Sequence, residues 1–237
     1  MATFALIHGA WHGAWCWARM VAELEALGHD TRTVDLPIDR ADATTADYAA
    51  AAAAAFAGGQ PPIVVAHSMA GLVAPLVAER MSVRGLVFLA ALLRRPGRSL
   101  ADDRADGFND DISPPGFSED LRRDAGKLTY WPSAEAAAPI LYQDCSQADV
   151  AWAFARLRHQ KGYWTDRVAA AGWPAVPLAS IVCAEDRAIN PAWLRRMTRA
   201  WLGIAPIEFP GGHTPHLSRP RELAALLDRL ARTTFAG

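Results

Sequence analysis

The stretch VVAHSMAG, Val64–Gly71, is where the chain's architecture is most legible. Its first half is apolar and β-branched. Its second half holds one serine, with Ala66 two residues before it and Ala70 two residues after. A chain that leaves a buried strand and enters a helix within so few residues must turn sharply. Small neighbours are what allow strand and helix to crowd such a turn. Ser68 then stands at the tip as a candidate nucleophile, with Gly71 available for close packing. A serine that merely caps the next helix would look the same locally. The remainder of the chain separates the two readings.

Working outward, short β-like runs alternate with longer helical ones. TFALIH precedes the helical spacing of AWCWARMVAELEALG, which stops at Gly28. DTRTVDLP is a second strand. TTADYAAAAAAAF is a helix entered through threonine, its alanine tract explained by helix propensity alone. IVVAH leads to MAGLVAPLVAERM, where Pro75 would kink a single helix. VRGLVFLAAL, PLASIVCAED and APIEFPGG complete six strands, and PAWLRRMTRAWLG and RPRELAALLDRLART read as helices. Such alternation implies an α/β fold, with a mostly parallel sheet covered on both faces. It breaks between Arg94 and about Gly172, where charge clusters, prolines and aromatics gather. We read 94–172 as an inserted, mainly helical cap, with 1–93 and 173–237 forming the core.

The 237 residues, 51% hydrophobic and 21% charged, suffice for one large domain. A formal net charge of −1 gives no pull toward nucleic acid. The three cysteines, Cys16, Cys145 and Cys183, lack zinc or disulfide spacing. There is neither a signal-peptide pattern nor an apolar run of about 18 residues, so no membrane partner and a cytoplasmic location are expected. The sequence leaves a homodimer open.

In an open parallel sheet, sites collect beyond the carboxyl ends of the strands. His8-Gly9, Ser68, Asp186 and His213 all fall there, and Ser, Asp and His follow in the chain order of a hydrolase triad. At this point the chain resembles a known group: the α/β-hydrolases, specifically the plant methylesterases and hydroxynitrile lyases with their small bacterial esterase relatives. HGAWHGAWCW is similar to their first loop and AHSMAG to their elbow, with alanines at both glycine positions of G-x-S-x-G. LYQDCSQADVAWAFARLR resembles a cap segment, CAEDRAI the acid loop and GGHTPHLSRPREL the histidine loop.

The resemblance implies a serine esterase acting on a small carboxylic ester, without cofactor or metal. It assigns Ser68 as nucleophile, His213 as base and Asp186 as the acid that orients it. The backbone N–H groups of Met69 and Ala10 would form the oxyanion hole. His216 is the decoy, three residues past the base. Glu185 would point elsewhere, and Asp35 would make a turn. Trp11, Trp131, Phe154 and Leu157 are the expected substrate contacts, whereas at least two of Trp11, Trp15 and Trp17 should be packing residues. His8 and His12 should shape the first loop and His67 should pack beside the elbow. His29, His159 and the pairs Asp102-Asp103 and Asp110-Asp111 read as surface. The lyase branch shares the triad but typically has threonine at Gly9, glutamate at His67 and lysine at Thr214, so these positions favour the esterase. A non-hydrolytic pocket protein on the same fold is the reading from another class.

Overall fold

The computed structural model describes residues 1–167 and 172–236. Residues 168–171, near the end of the expected cap, and residue 237 lie outside them. Six strands form one wholly parallel sheet in the order β2-β1-β3-β4-β7-β8. They are β1 (Thr3–Ile7), β2 (Asp30–Val34), β3 (Ile63–His67), β4 (Gly85–Leu89), β7 (Leu178–Cys183) and β8 (Ile207–Phe209). All six are those read from the sequence.

β1, β3 and β4 are buried at every residue, because helices cover both faces and neither side can be polar. β2 lies at the edge, and its DTRTV is mostly half-exposed. α1 (Ala18–Ala26) and α9 (Pro220–Arg232) pack together on one face. α2 (Thr45–Ala55) and α3 (Ala74–Arg80) pair on the other. α2 begins where expected, with Thr44 and Asp47 forming a reciprocal capping box.

Two helical expectations are corrected. The run after Gly13 opens as a 3₁₀ turn, Ala14–Trp17, before α1. The run after β3 splits into a 3₁₀ segment, Ser68–Leu72, and α3, so Pro75 sits in the first turn of α3 and kinks nothing.

Between β4 and β7 the alternation does stop. This stretch holds α4 (Leu100–Ala105), a short antiparallel pair β5 (Arg122–Arg123) and β6 (Thr129–Tyr130), α5 (Ala134–Leu141) and α6 (Gln147–Phe154). Buried Arg94 ties it to the core. Its guanidinium donates to the carbonyls of Leu72 and Asp166 and to Thr45 Oγ1. α7 (Pro191–Met197) and α8 (Pro215–Ser218) complete the helices used below. Among the described residues, no helix is long and apolar enough to cross a membrane.

Two residues expected at the surface are buried. His29 accepts from the Ala2 N–H and faces Asp228 at 3.0 Å, a setting made by chain ends brought together only in the fold. Asp103 is fully enclosed and paired with Arg95 at 2.6 Å. His159 behaves as expected, partly exposed beside Asp124.

Candidate active site

Ser68 immediately follows β3 with φ +55°, a left-handed conformation that serine adopts only when its surroundings impose it. The crowding is measurable. A Cβ on Gly71 would stand 2.2 Å from the Leu92 carbonyl oxygen. Ala66 and Ala70 are completely buried, and at both positions a single methyl is accommodated.

His213 follows β8 and Asp186 follows β7. His213 Nε2 lies 3.0 Å from Ser68 Oγ, and its Nδ1 lies 2.8 Å from Asp186 Oδ2. One imidazole thus bridges serine and carboxylate, and all three side chains are buried or nearly so. The other carboxylate oxygen, Oδ1, accepts from the Ala188 and Ile189 N–H groups at 2.8 and 3.0 Å, which fixes its orientation. Glu185 is exposed, as expected. His216 meets neither Ser68 nor Asp186. It is buried against Trp17 and His67, with ring centroids 4.5 Å from each.

Two backbone N–H groups are aimed by the bonds of their own peptide units. The carbonyl of Ser68 accepts from the Leu92 N–H at 2.9 Å, which pins the plane carrying the Met69 N–H. The carbonyl of Gly9 accepts from His8 Nδ1 at 2.8 Å, which pins the plane carrying the Ala10 N–H. The other nitrogen of His8, Nε2, accepts from the Leu36 N–H at 3.0 Å. His12 donates from Nδ1 to the Ala10 carbonyl at 2.7 Å and accepts from the Tyr142 hydroxyl. Burial disfavours the charged form of both, and in the neutral rings these partners place the proton on Nδ1. Burial pushes His8 down to about 4 and His12 to about 3. Asp35 accepts from the Ala14 N–H and steadies the same loop.

Trp11 has φ +63°. Its carbonyl accepts from the Arg158 N–H at 2.7 Å, its N–H points to Gln160 Oε1, and its indole N–H donates to Thr129 Oγ1. Trp131 packs edge-on against it at 5.6 Å. A cavity of about 450 Å³ opens beside Trp11, bordered by Phe117 and Tyr163 and also by the charged Arg104, Asp110, Arg123 and Lys161; Ser68, Asp186 and His213 do not line it. Trp131, Phe154 and Leu157 do not line it. The latter two are half-buried against the main core. Trp15 and Trp17 are packing residues, Trp17 fully enclosed.

Sequence reasoning passed over the residues that hold the histidine loop. Asp144 accepts from the Gly212 N–H and the Ser218 hydroxyl, and Thr214 donates to the Leu141 carbonyl at 2.6 Å. Asp144 lies within LYQDCSQ, but nothing in that string says which loop it would meet. Among the described residues, no three His, Cys, Asp or Glu side chains are grouped so as to hold a metal ion, the buried imidazoles included.

The parallel sheet, the strained serine and the bridging imidazole define a class, and comparison with known proteins agrees. Residues 4–226 match the alpha/beta hydrolase family, and the chain belongs to it. It is 28% identical over 265 residues to Methylesterase 7 of Arabidopsis thaliana, covering 96% of this chain and 95% of that protein. Probable esterase PIR7A of Oryza sativa subsp. indica is 27% identical, with 96% of each covered. The crystal structure of polyneuridine aldehyde esterase superposes with a TM-score of 0.80 at 22% identity, covering 98% of this chain and 99% of that one.

Proposed function

We propose that the protein is a serine hydrolase of small carboxylic esters. One observation carries the reading: a single buried imidazole, His213, reaches Ser68 with one nitrogen and Asp186 with the other. The named relatives, a methylesterase and an esterase, support the same chemistry.

His213 takes the proton from Ser68 Oγ as that oxygen attacks the ester carbonyl. Asp186 keeps the proton of the neutral imidazole on Nδ1 and stabilises the imidazolium that forms. The N–H groups of Ala10 and Met69 receive the developing oxyanion; their carbonyl-pinned peptide planes need no rearrangement at that moment. His213 then protonates the leaving alcohol, and water, activated by the same imidazole, releases the acid from Ser68. The segment between β4 and β7 acts as a cap that selects the substrate. The Trp, Leu and Phe side chains of the first loop and cap favour a substrate with an apolar or aromatic part.

Gly9, His67 and Thr214 favour hydrolysis over the lyase chemistry. At Gly9 a Cβ would meet Ser68 Cβ at 2.8 Å and His67 Nδ1 at 2.9 Å, so a threonine has no room there in this arrangement of loop and elbow. The test is a panel of methyl and aryl esters with acid and alcohol quantified separately, run beside a cyanohydrin. Equal release of acid and alcohol is expected. Cleavage of the cyanohydrin alone, or binding without turnover, would replace the reading.

A further inference from the structure

Three buried imidazoles, those of His12, His67 and His216, pack against one another beside His213 and take no step in the chemistry above. His67 differs from the other two. Its Nε2 lies 2.8 Å from the backbone carbonyl oxygen of His213 itself. We propose that His67 is a positioning residue: its donated hydrogen bond fastens the backbone of His213 to the end of the strand that carries Ser68. The proposal rests on the hydrolase reading above.

A carbonyl oxygen can only accept, so His67 Nε2 must carry the proton; burial keeps the ring neutral, which leaves the lone pair on Nδ1. The ring is completely buried at the last position of β3, and the next residue is Ser68. The same strand end therefore sets the serine oxygen and, through one side chain, the backbone of its base. The neighbours of His213 are tied elsewhere. Gly212 is held by Asp144 and Thr214 by Leu141, both in the segment between β4 and β7. The His67 bond joins residue 213 directly to the core sheet.

The ring also fills the space left by Gly9, whose absent Cβ would stand 2.9 Å from Nδ1. First loop, elbow and histidine loop thus meet at one imidazole. A role confined to packing would need the ring's volume but not its Nε2 proton. The two roles separate on replacement by side chains of similar length. Glutamine can put an amide donor near Nε2; methionine fills the space and donates nothing.

The experiment compares His67→Gln and His67→Met by steady-state kinetics on an activated ester, with kcat and KM resolved. The downfield proton resonance of the His213–Asp186 bond is followed in parallel. His67→Met should lose about 10²-fold in kcat with KM nearly unchanged, as expected for about 1 Å of misplacement, and the resonance should broaden or vanish. His67→Gln should restore most of the kcat and the resonance. Equal rates in the two variants, or an intact resonance and kcat in His67→Met, would overturn the proposal.

A measurement on the unmodified protein covers the case in which the methionine variant does not fold. Nitrogen-15 spectra should show His67 as the Nε2–H tautomer throughout the assay pH range; the Nδ1–H tautomer would overturn the proposal equally. If the wild type hydrolyses no ester, the hydrolase reading fails on its own. The resonance and the tautomer would still report whether His67 holds His213.

Discussion

A Cβ on Gly9 would stand 2.8 Å from the Cβ of Ser68, closer than such atoms approach in real proteins. The first loop therefore reaches the nucleophile only because residue 9 has no side chain. Gly9→Ala must push that loop away and carry the Ala10 N–H with it. The expected loss is about 10²-fold in kcat/KM on any ester, since a 1 Å displacement of a donor suffices for that. Kinetics on a small and a bulky ester check it: both should fall alike. An unchanged rate would mean that the Ala10 N–H does not serve the oxyanion.

The two close histidines separate by function. His213 bridges Ser68 and Asp186, whereas His216 stacks on Trp17. His213→Ala should lose nearly all turnover. Its residual rate should lack the pH dependence that a general base imposes on the wild type. His216→Ala should keep the wild-type profile. Plots of kcat/KM against pH for both variants decide the matter, and the reverse pattern would exchange their roles.

That Ser68, Asp186 and His213 would meet was legible in the sequence because each follows a strand end and their order restricts the choices. A parallel sheet brings Ser68, Asp186 and His213 to one edge, and the bonds that hold the loops after β7 and β8 bring the side chains together. What stayed hidden depends on partners distant in sequence. Asp103 is buried because Arg95 folds onto it, and His29 because the Ala2 N–H and Asp228 converge on its ring. Asp144 is an ordinary acidic residue until the Gly212 N–H arrives. β5 and β6, two residues each, are too short to show a period. Phe154 ends α6 and Leu157 lies beyond it, neither lines the Trp11 cavity, and hydrophobicity alone does not give a side chain's direction.

In four buried imidazoles the cost of burying a charge outweighs whatever favours the charged form. Burial lowers His67 and His216 well below 6.5, His8 to about 4 and His12 to about 3. Below pH 6.5 the unfolded chain binds protons that the folded chain refuses, so stability falls as pH drops. Each group can cost up to about 1.4 kcal/mol per pH unit until its folded pKa is reached. Above 6.5 the contribution is complete and constant. Calorimetry should show Tm flat, as far as these groups are concerned, between pH 8 and 7, then falling steeply toward pH 4. His216→Phe should make that acid limb shallower by about one proton. A limb of unchanged slope would mean that His216 already takes up its proton in the folded state.

Thr129 accepts the Trp11 indole N–H, and Trp11 walls the 450 Å³ cavity. Thr129→Val leaves that buried donor unpaired, at a cost of about 1–3 kcal/mol that the indole can escape by rotating. Relative rates among aryl esters of different size should change more than the rate on a very small ester. If every substrate falls by one factor, Trp11 supports the loop and does not select the substrate.

The central claim is that Ser68 carries the acyl group. Rapid quenching of the enzyme with an activated ester, followed by peptide mass spectrometry, tests it most directly. The acyl adduct should appear on the peptide containing Ser68. In Ser68→Ala the adduct should be absent and turnover should fall on the order of 10⁴-fold or more, with the fold intact. An adduct on another residue, or near-normal turnover in a cleanly purified Ser68→Ala protein, would contradict the account.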